Sequence, residues 1–426
     1  MNIKKIFLFV TIGFVILFSL AELNFYPQLS QGDHGRDLYA AQEILRGKLP
    51  YKDFWWVYGP LMPYYFAAFY KLAGGTIVSF LIGKLFLKTL CAVFFYLAAS
   101  TFMAPFIACL AALWFAQSQQ DFFFTFNHLG GIAMELTILY LLFSYIKEQR
   151  LKLLWLSLLA VLAYCLIKIN FGLASLAVVL ITAGLTDFIY KNPLTKDKKN
   201  FYVTALVGVP AAAGLIYWLL LKDLPSYAIH QCMPYFGDDQ PHHHGPGETI
   251  PYYFMQHWLT LTHAVSGLMN AFGSHVNAQG FIVLLNRVGT SLNLVNHLLL
   301  HAATISVIVL IAVKKIPKTE LKKLLLILFC LGVFFVLNFH EFVVSGVWYR
   351  TFWSLPFLFM FHYVMMSTAF RFLPVMARGF IWGVVIVLLV FNGVIGFFTT
   401  QSQKIPPRFL NSPHAQVYVG NEPQWK

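Results

Sequence analysis

Apolar residues in this chain come in long unbroken runs rather than at alternating or one-faced spacing, and the runs recur from one end to the other. Each is close to the length, about 20 residues, that a helix needs to cross a hydrocarbon core of about 30 Å. Eleven such stretches are predicted, at about 6–23, 76–99, 103–118, 130–146, 153–168, 170–190, 201–221, 291–313, 322–338, 351–368 and 379–398. Helices are the expected form, because lipid offers no partner to an unpaired backbone group and nothing here alternates as barrel strands would. The pattern therefore predicts an all-α, polytopic integral membrane protein of about 11 transmembrane helices, forming a single domain over 1–426. Two polar segments, 24–75 and 222–289, are too long for turns, and a tail follows over 399–426. The Trp, Tyr, Phe and Pro in the two loops argue for built structure rather than disorder.

Composition agrees with this reading. The 426 residues are 59% hydrophobic and only 11% charged, against about 25% charged in a soluble chain. That excludes a cytosolic globular domain, a disordered chain and a disulfide scaffold. Four of the five cysteines lie inside apolar runs and read as small core residues. The net charge of +13 would suggest nucleic acid in a soluble protein; here Lys and Arg gather in short inter-span segments such as 191–200 and 314–323, so no nucleic-acid partner is expected. An excess of basic residues in short loops marks the cytoplasmic side, which puts the N-terminus inside and both long loops and the tail outside. The third stretch, short and containing Pro105, decides the direction of everything after it. Residues 1–20 also have the form of a signal peptide, with Ser19-Leu20-Ala21 at a cleavage-site spacing, but the many spans that follow favour a retained first helix.

The first loop carries the most chemistry. Residues 32–47 read as an amphipathic helix capped by Asp33, with Leu38, Ala41 and Leu45 on one stripe and Gly47 at its end. A Pro- and Gly-punctuated aromatic turn follows, with Trp55, Trp56 and Tyr58 expected at headgroup depth, and then a second helix over 62–72. The same features also describe a plain interfacial belt in which Asp33 is only a helix cap.

An acidic residue just after the first span is followed by Leu38-Tyr39-Ala40-Ala41-Gln42, Ile44-Leu45, Gly47, Pro50-Tyr51 and Asp53-Phe54, then by Gly59-Pro60-Leu61 and Tyr64-Tyr65. This constellation resembles the polytopic GT-C glycosyltransferases, in the branch related to protein O-mannosyltransferases and lipid A aminoarabinose transferases. The likeness extends to the Lys after the fifth span, in Leu166-Ile167-Lys168-Ile169-Asn170, and covers about residues 1–200, the remainder agreeing in topology. It implies a GT-C-like fold with interfacial helices on long outer loops and a sugar donor carried on polyprenyl phosphate. The implied acceptor is a lipid, glycan or protein at the extracytoplasmic face of a bacterial inner membrane. It also implies that Asp33 is the catalytic carboxylate, deprotonating the acceptor hydroxyl. Arg36 matches a basic position that contacts the donor phosphate. His34 stands where the family has Glu, and Val57-Tyr58-Gly59-Pro60 replaces an acid–base–Pro motif. Asp53 and Asp37 are therefore candidates to share or take over the acidic role, with His34 and Tyr58 lining the substrate site. The resemblance requires no cofactor and admits a divalent metal without demanding one.

Charged groups at membrane depth are functional candidates by default. Lys168 reads either as a second phosphate ligand or as a snorkelling residue. Arg350, after Val347-Trp348-Tyr349, is a further phosphate candidate, beside His340 and Glu341 in the loop after the ninth span. Lys84 and Lys88 are expected to pair with Glu135. His242-His243-His244 offers imidazoles to a metal, but three adjacent residues rarely turn to one ion, and a solvated His-rich turn is the favoured reading. A lipid or glycolipid transporter or flippase is the competing function; it predicts repeated halves, which the sequence lacks.

Overall fold

The computed structural model describes residues 3–23, 33–118, 126–224, 302–345, 353–387, 408–412 and 415–419. All but the last two segments are dominated by helices. In chain order these are α1 (Ile3–Leu23), α2 (Asp33–Leu45), α3 (Leu61–Leu72), α4 (Ile77–Ala99), α5 (Pro105–Ser118), α6 (Phe126–Glu148), α7 (Leu151–Cys165) and α8 (Ile169–Tyr190). They continue with α9 (Lys196–Val203), α10 (Val209–Leu221), α11 (Ala302–Ala312), α12 (Lys318–Ser345), α13 (Leu355–Phe370) and α14 (Val375–Val387). Two strands, β1 (Arg408–Ser412) and β2 (Ala415–Val419), pair antiparallel in the tail, a small departure from the wholly helical expectation.

Among the described residues, five segments are long and apolar enough to cross a membrane: Ile77–Ala99, Asn127–Glu148, Ile169–Tyr190, Lys196–Leu221 and Lys318–Glu341. Helix α6 is the centre of the bundle. It packs on α4, α7, α8 and α12, and 83% of its apolar window is buried, against 22% for the α9–α10 segment at the periphery. Aromatic pairs tie the layers together: Phe95 of α4 stacks on Phe115 of α5 at 4.6 Å between centroids, and Trp114 of α5 meets Phe359 of α13 at 4.2 Å.

Two boundaries differ from expectation for identifiable reasons. The seventh stretch starts earlier, at Lys196, and is interrupted by a π-helical turn at Thr204–Gly208. Pro210 follows it; a proline ring clashes with the carbonyl four residues back and offers no N–H, and one widened turn relieves both. The ninth stretch, expected to stop near 338, continues as helix to Ser345. His340 and Glu341 are thus on the helix, not in a loop.

The bundle has two chemically distinct ends. At one, Lys4 Nζ donates to the Ser100 carbonyl at 3.3 Å, joining the start of α1 to the end of α4. Thr101, Lys147, Glu320 and Arg371 line a crevice at this same end, and Asp187, at the end of α8, accepts from Tyr145 of α6 and Lys198 of α9. The basic short segments therefore share one end, as their sequence grouping requires. The start of α6, the α7–α8 turn and the end of α12 lie at the other. Helix α5, the weakest of the predicted stretches, carries the chain between the two ends, since α4 finishes at the basic end and α6 begins at the opposite one.

Candidate functional site

The segment joining α2 to α3 caps the end of the bundle opposite the basic loops. Helix α2 packs on α3, and its inner face is Asp37, Ala40, Ala41 and Glu43; Leu38 is half-buried and Leu45 exposed. Of the expected Leu38–Ala41–Leu45 stripe, Ala41 is buried and Leu38 packs partly against the core, but Leu45 faces out. Ala41 packs into the main core with Met62 and Phe66 of α3, and Ala40 against Tyr51, Phe54 and Trp56 of the following turn; the two carboxylates are buried because each is paired with a cation, which burial of a charge demands. Arg36 donates to Asp37 Oδ1 from Nε at 3.2 Å and from Nη2 at 3.1 Å. Lys48 and Arg46 both pair with Glu43. The hydrogen bond from Lys48, aided by Arg46, holds the Glu43 carboxyl below its ordinary range, and Glu43 pushes the Lys48 ammonium up.

Gly47, at φ +83°, ends α2 in the left-handed conformation that glycine adopts without penalty. In the turn that follows, Asp53 is exposed and its Oδ2 accepts the Leu49 N–H at 2.8 Å. Trp55 is exposed, but Trp56, expected at headgroup depth, is 1% exposed, and its indole N–H donates to the Gly59 carbonyl at 3.0 Å. Tyr51 donates its hydroxyl to the Tyr58 carbonyl. These bonds fold the aromatic turn into a strap.

The strap is fastened to the bundle at one point. Gly59 N–H donates to the Ile167 carbonyl and Leu61 N–H to the Leu166 carbonyl, both at 2.9 Å. A Cβ on residue 59 would lie 2.1 Å from the Leu166 oxygen, so the approach is open to glycine alone. The residue after this dock is Lys168. Above the strap, the Arg36 guanidinium lies 5.4 Å from the Trp56 ring centroid and 5.0 Å from that of Tyr58, within reach of a cation–π attraction. Tyr58 meets His128 edge-on at 6.5 Å, and His128 stacks on Trp353 at 3.5 Å. A continuous row thus runs Arg36–Tyr58–His128–Trp353 from α2 across the strap to the starts of α6 and α13.

Beneath the dock lies a buried polar network. Lys168 precedes α8, its ammonium paired with Glu341 of α12 and 4.1 Å from the Phe171 ring centroid. Asn338, one turn before Glu341, donates to Glu135 Oε2 at 2.7 Å and to the Phe334 carbonyl at 2.9 Å. Tyr164, one turn before Lys168, donates to Glu135 Oε1 at 2.8 Å. Glu135 therefore faces α7 and α12, and the expected pairing with Lys84 and Lys88 of α4 is replaced by these neutral donors. No hydrophobic pattern announces the network: its members are single polar residues in four different apolar helices and turns. The signal available was the presence of Glu135 and Glu341 at membrane depth.

Of the residues singled out from sequence, Arg36, Asp37 and Tyr58 come together, while Lys168 follows the dock in the chain and turns its ammonium to Glu341. Asp53 stands apart on its exposed turn. Asp33 opens α2, but its side chain, that of His34, and Arg350 and His242–His244 as a whole lie outside the described residues. Among the described residues no group of three or more His, Cys, Asp or Glu side chains is arranged to hold a metal. Glu341, His128 and Trp353 are additions that the sequence reading did not assign to the site. No family model, curated protein or solved structure matches this chain. Chemically, a fork-shaped guanidinium on an aromatic platform suits a phosphate-bearing ligand.

Proposed function

We propose that the protein is a GT-C-type membrane glycosyltransferase that moves a sugar from a polyprenyl-phosphate donor to an acceptor hydroxyl. The observation that carries this reading is the dock of Gly59 and Leu61 on the Leu166–Ile167 carbonyls. It joins the strap on which Arg36 rests to the turn whose next residue is Lys168, so two cations 132 residues apart in sequence (168 − 36) flank one backbone junction at the aromatic end of the bundle. In the proposed reaction the donor phosphate binds between these cations while its lipid tail remains among the apolar helices. Asp33 takes the proton of the acceptor hydroxyl. The hydroxyl oxygen bonds to the anomeric carbon as the carbon–oxygen bond to phosphate breaks, and the electron pair leaves on a phosphate whose growing charge Arg36 and Lys168 stabilise. Arg350 and His34 are further substrate ligands in this scheme, and Asp37 fixes Arg36. The basic end faces the cytoplasm of a bacterial inner membrane, as Lys and Arg in short loops direct, and the reaction takes place on the far side.

The buried charges Lys168, Glu341 and Glu135 favour a second reading, a lipid-linked sugar flippase, because charged groups within a bundle also mark transport paths. Purified protein incubated with radiolabelled polyprenyl-phosphate sugars and a mixed acceptor pool separates the two. Release of labelled product with free polyprenyl phosphate supports the transferase; labelled donor crossing a proteoliposome bilayer without cleavage supports the flippase.

A further inference from the structure

At the basic end, α8, the α8–α9 turn and the start of α12 enclose an open cleft of about 680 Å³, lined by Gly184, Asp187, Lys191, Asn192, Tyr202 and Lys322 among others. Its one carboxylate is already neutralised. Asp187 Oδ1 accepts from Lys198 at 2.7 Å, Tyr145 at 2.8 Å and Asn192 at 3.1 Å, and Oδ2 from Tyr202 at 3.4 Å. Lys191 and Lys322 form no ion pair among the described residues, so with Lys198 offsetting Asp187 the cleft carries two uncompensated positive charges. Lys191 is held at the rim by backbone: it closes α8 in the left-handed conformation at φ 55°.

An apolar track leads away from this cleft. Ile181, Leu185 and Phe188 recur at helical spacing along α8 and are 49%, 38% and 82% exposed. Leu194, at the mouth, is also exposed, and the space beside Gly184 is open. In a helix that crosses a membrane, such a stripe faces acyl chains. The arrangement is therefore amphiphilic in a fixed order: a doubly cationic recess at the helix end, continuous with a lipid-facing stripe.

We infer that this cleft binds an acidic phospholipid, its phosphate headgroup between Lys191 and Lys322 and an acyl chain along Ile181, Leu185 and Phe188. Basic recesses between helices at the cytoplasmic face are where anionic headgroups are held. A free phosphate would satisfy the lysines but leave the apolar stripe unused. The bound lipid would fasten the α8–α9 corner to the leaflet richest in acidic lipid, independently of any chemistry at the opposite end.

Native mass spectrometry of the full chain in detergent, titrated with phosphatidylglycerol or phosphatidylcholine, tests this. Retention of one phosphatidylglycerol in preference to phosphatidylcholine is expected, weakened about fivefold by Lys191→Ala or Lys322→Ala and about thirtyfold by both, at the usual worth of a basic group near an anionic headgroup. Lys314→Ala/Lys315→Ala, which removes the same charge outside the cleft, should leave retention unchanged. Equal loss in that control, equal retention of the two lipids, or full displacement by millimolar glycerol phosphate would each overturn the proposal. Should the double variant fail to fold, a photoactivatable phosphatidylglycerol on the wild-type protein decides: labelling concentrated at 181–194 supports the site, and labelling spread evenly over the bundle contradicts it.

Discussion

The Gly59 amide donates to the Ile167 carbonyl at 2.9 Å, and through that bond the aromatic strap and the Lys168 turn become one structural unit. The contact is backbone to backbone, so no side-chain rearrangement can absorb a methyl group placed in it. Gly59→Ala is expected to lower stability by about 1–3 kcal/mol, the usual range for overpacking. Gly13→Ala in α1, where a new Cβ meets nothing within 4 Å, should be neutral. Thermal unfolding in detergent compares the two directly.

The Lys168–Glu341 pair joins the α7–α8 turn to the end of α12 with both groups buried. Breaking one side of such a pair costs about 3–5 kcal/mol, whereas replacing both by apolar residues is often neutral. Glu341→Gln should therefore be strongly destabilising and Lys168→Met/Glu341→Leu close to wild type in unfolding temperature. On the proposed function, that double variant should still lose binding of the lipid-phosphate donor, measured by retention of radiolabelled donor. Wild-type donor retention in the stable double variant would remove Lys168 from the phosphate site.

Asn338 holds Glu135 Oε2 at 2.7 Å. Asn338→Leu deprives a fully buried carboxylate of one donor and is expected to cost about 1–3 kcal/mol. Asn338→Asp, which sets a second acid against the first, should cost more. The order of the two unfolding temperatures checks the assignment of Asn338 as donor.

Sequence pattern exposed the elements of this fold more clearly than their faces. Every predicted apolar stretch overlaps a helix, and the basic segments 191–200 and 314–323 lie at a common end, because both rest on strong local signals: apolar run length and clustered charge. Finer features depended on partners remote in the chain. Glu341 looked like a loop residue since polar residues usually end apolar helices, yet Lys168, far away in sequence, satisfies it inside the bundle. Trp56 looked like a headgroup anchor, but its burial follows from the dock of Gly59. The buried face of α2 takes in Asp37 and Glu43 beside Ala41 while Leu45 faces out, and Arg36, Arg46 and Lys48 make that tolerable. The π-helical turn at Thr204–Gly208 had a local cause, Pro210, although its form could not be read from the residue alone.

Helix α2 should respond to pH at both extremes. Glu43 has a depressed folded pKa, so its stabilising pairing is present above the ordinary carboxylate range and is lost as pH falls through the folded value. Lys48 has a raised one, so its contribution is intact below the ordinary lysine value and is lost as pH rises past it, above about 10.5. Hydrogen-exchange protection of residues 43–48 is expected to be flat from pH 5 to 9, after correction for intrinsic exchange, and to fall outside that window. Glu43→Gln should remove the acid limb.

The proposed role of Asp33, the carboxylate that opens α2, is tested most directly by turnover of a radiolabelled polyprenyl-phosphate sugar by purified wild-type protein and by Asp33→Asn, with matched unfolding temperatures. Loss of a general base lowers rate by about a hundredfold or more. Wild-type turnover with a drop of that size in Asp33→Asn, donor binding retained, is the expected result. Undiminished turnover in Asp33→Asn, or a wild-type protein that binds the donor and never cleaves it, would contradict the catalytic role.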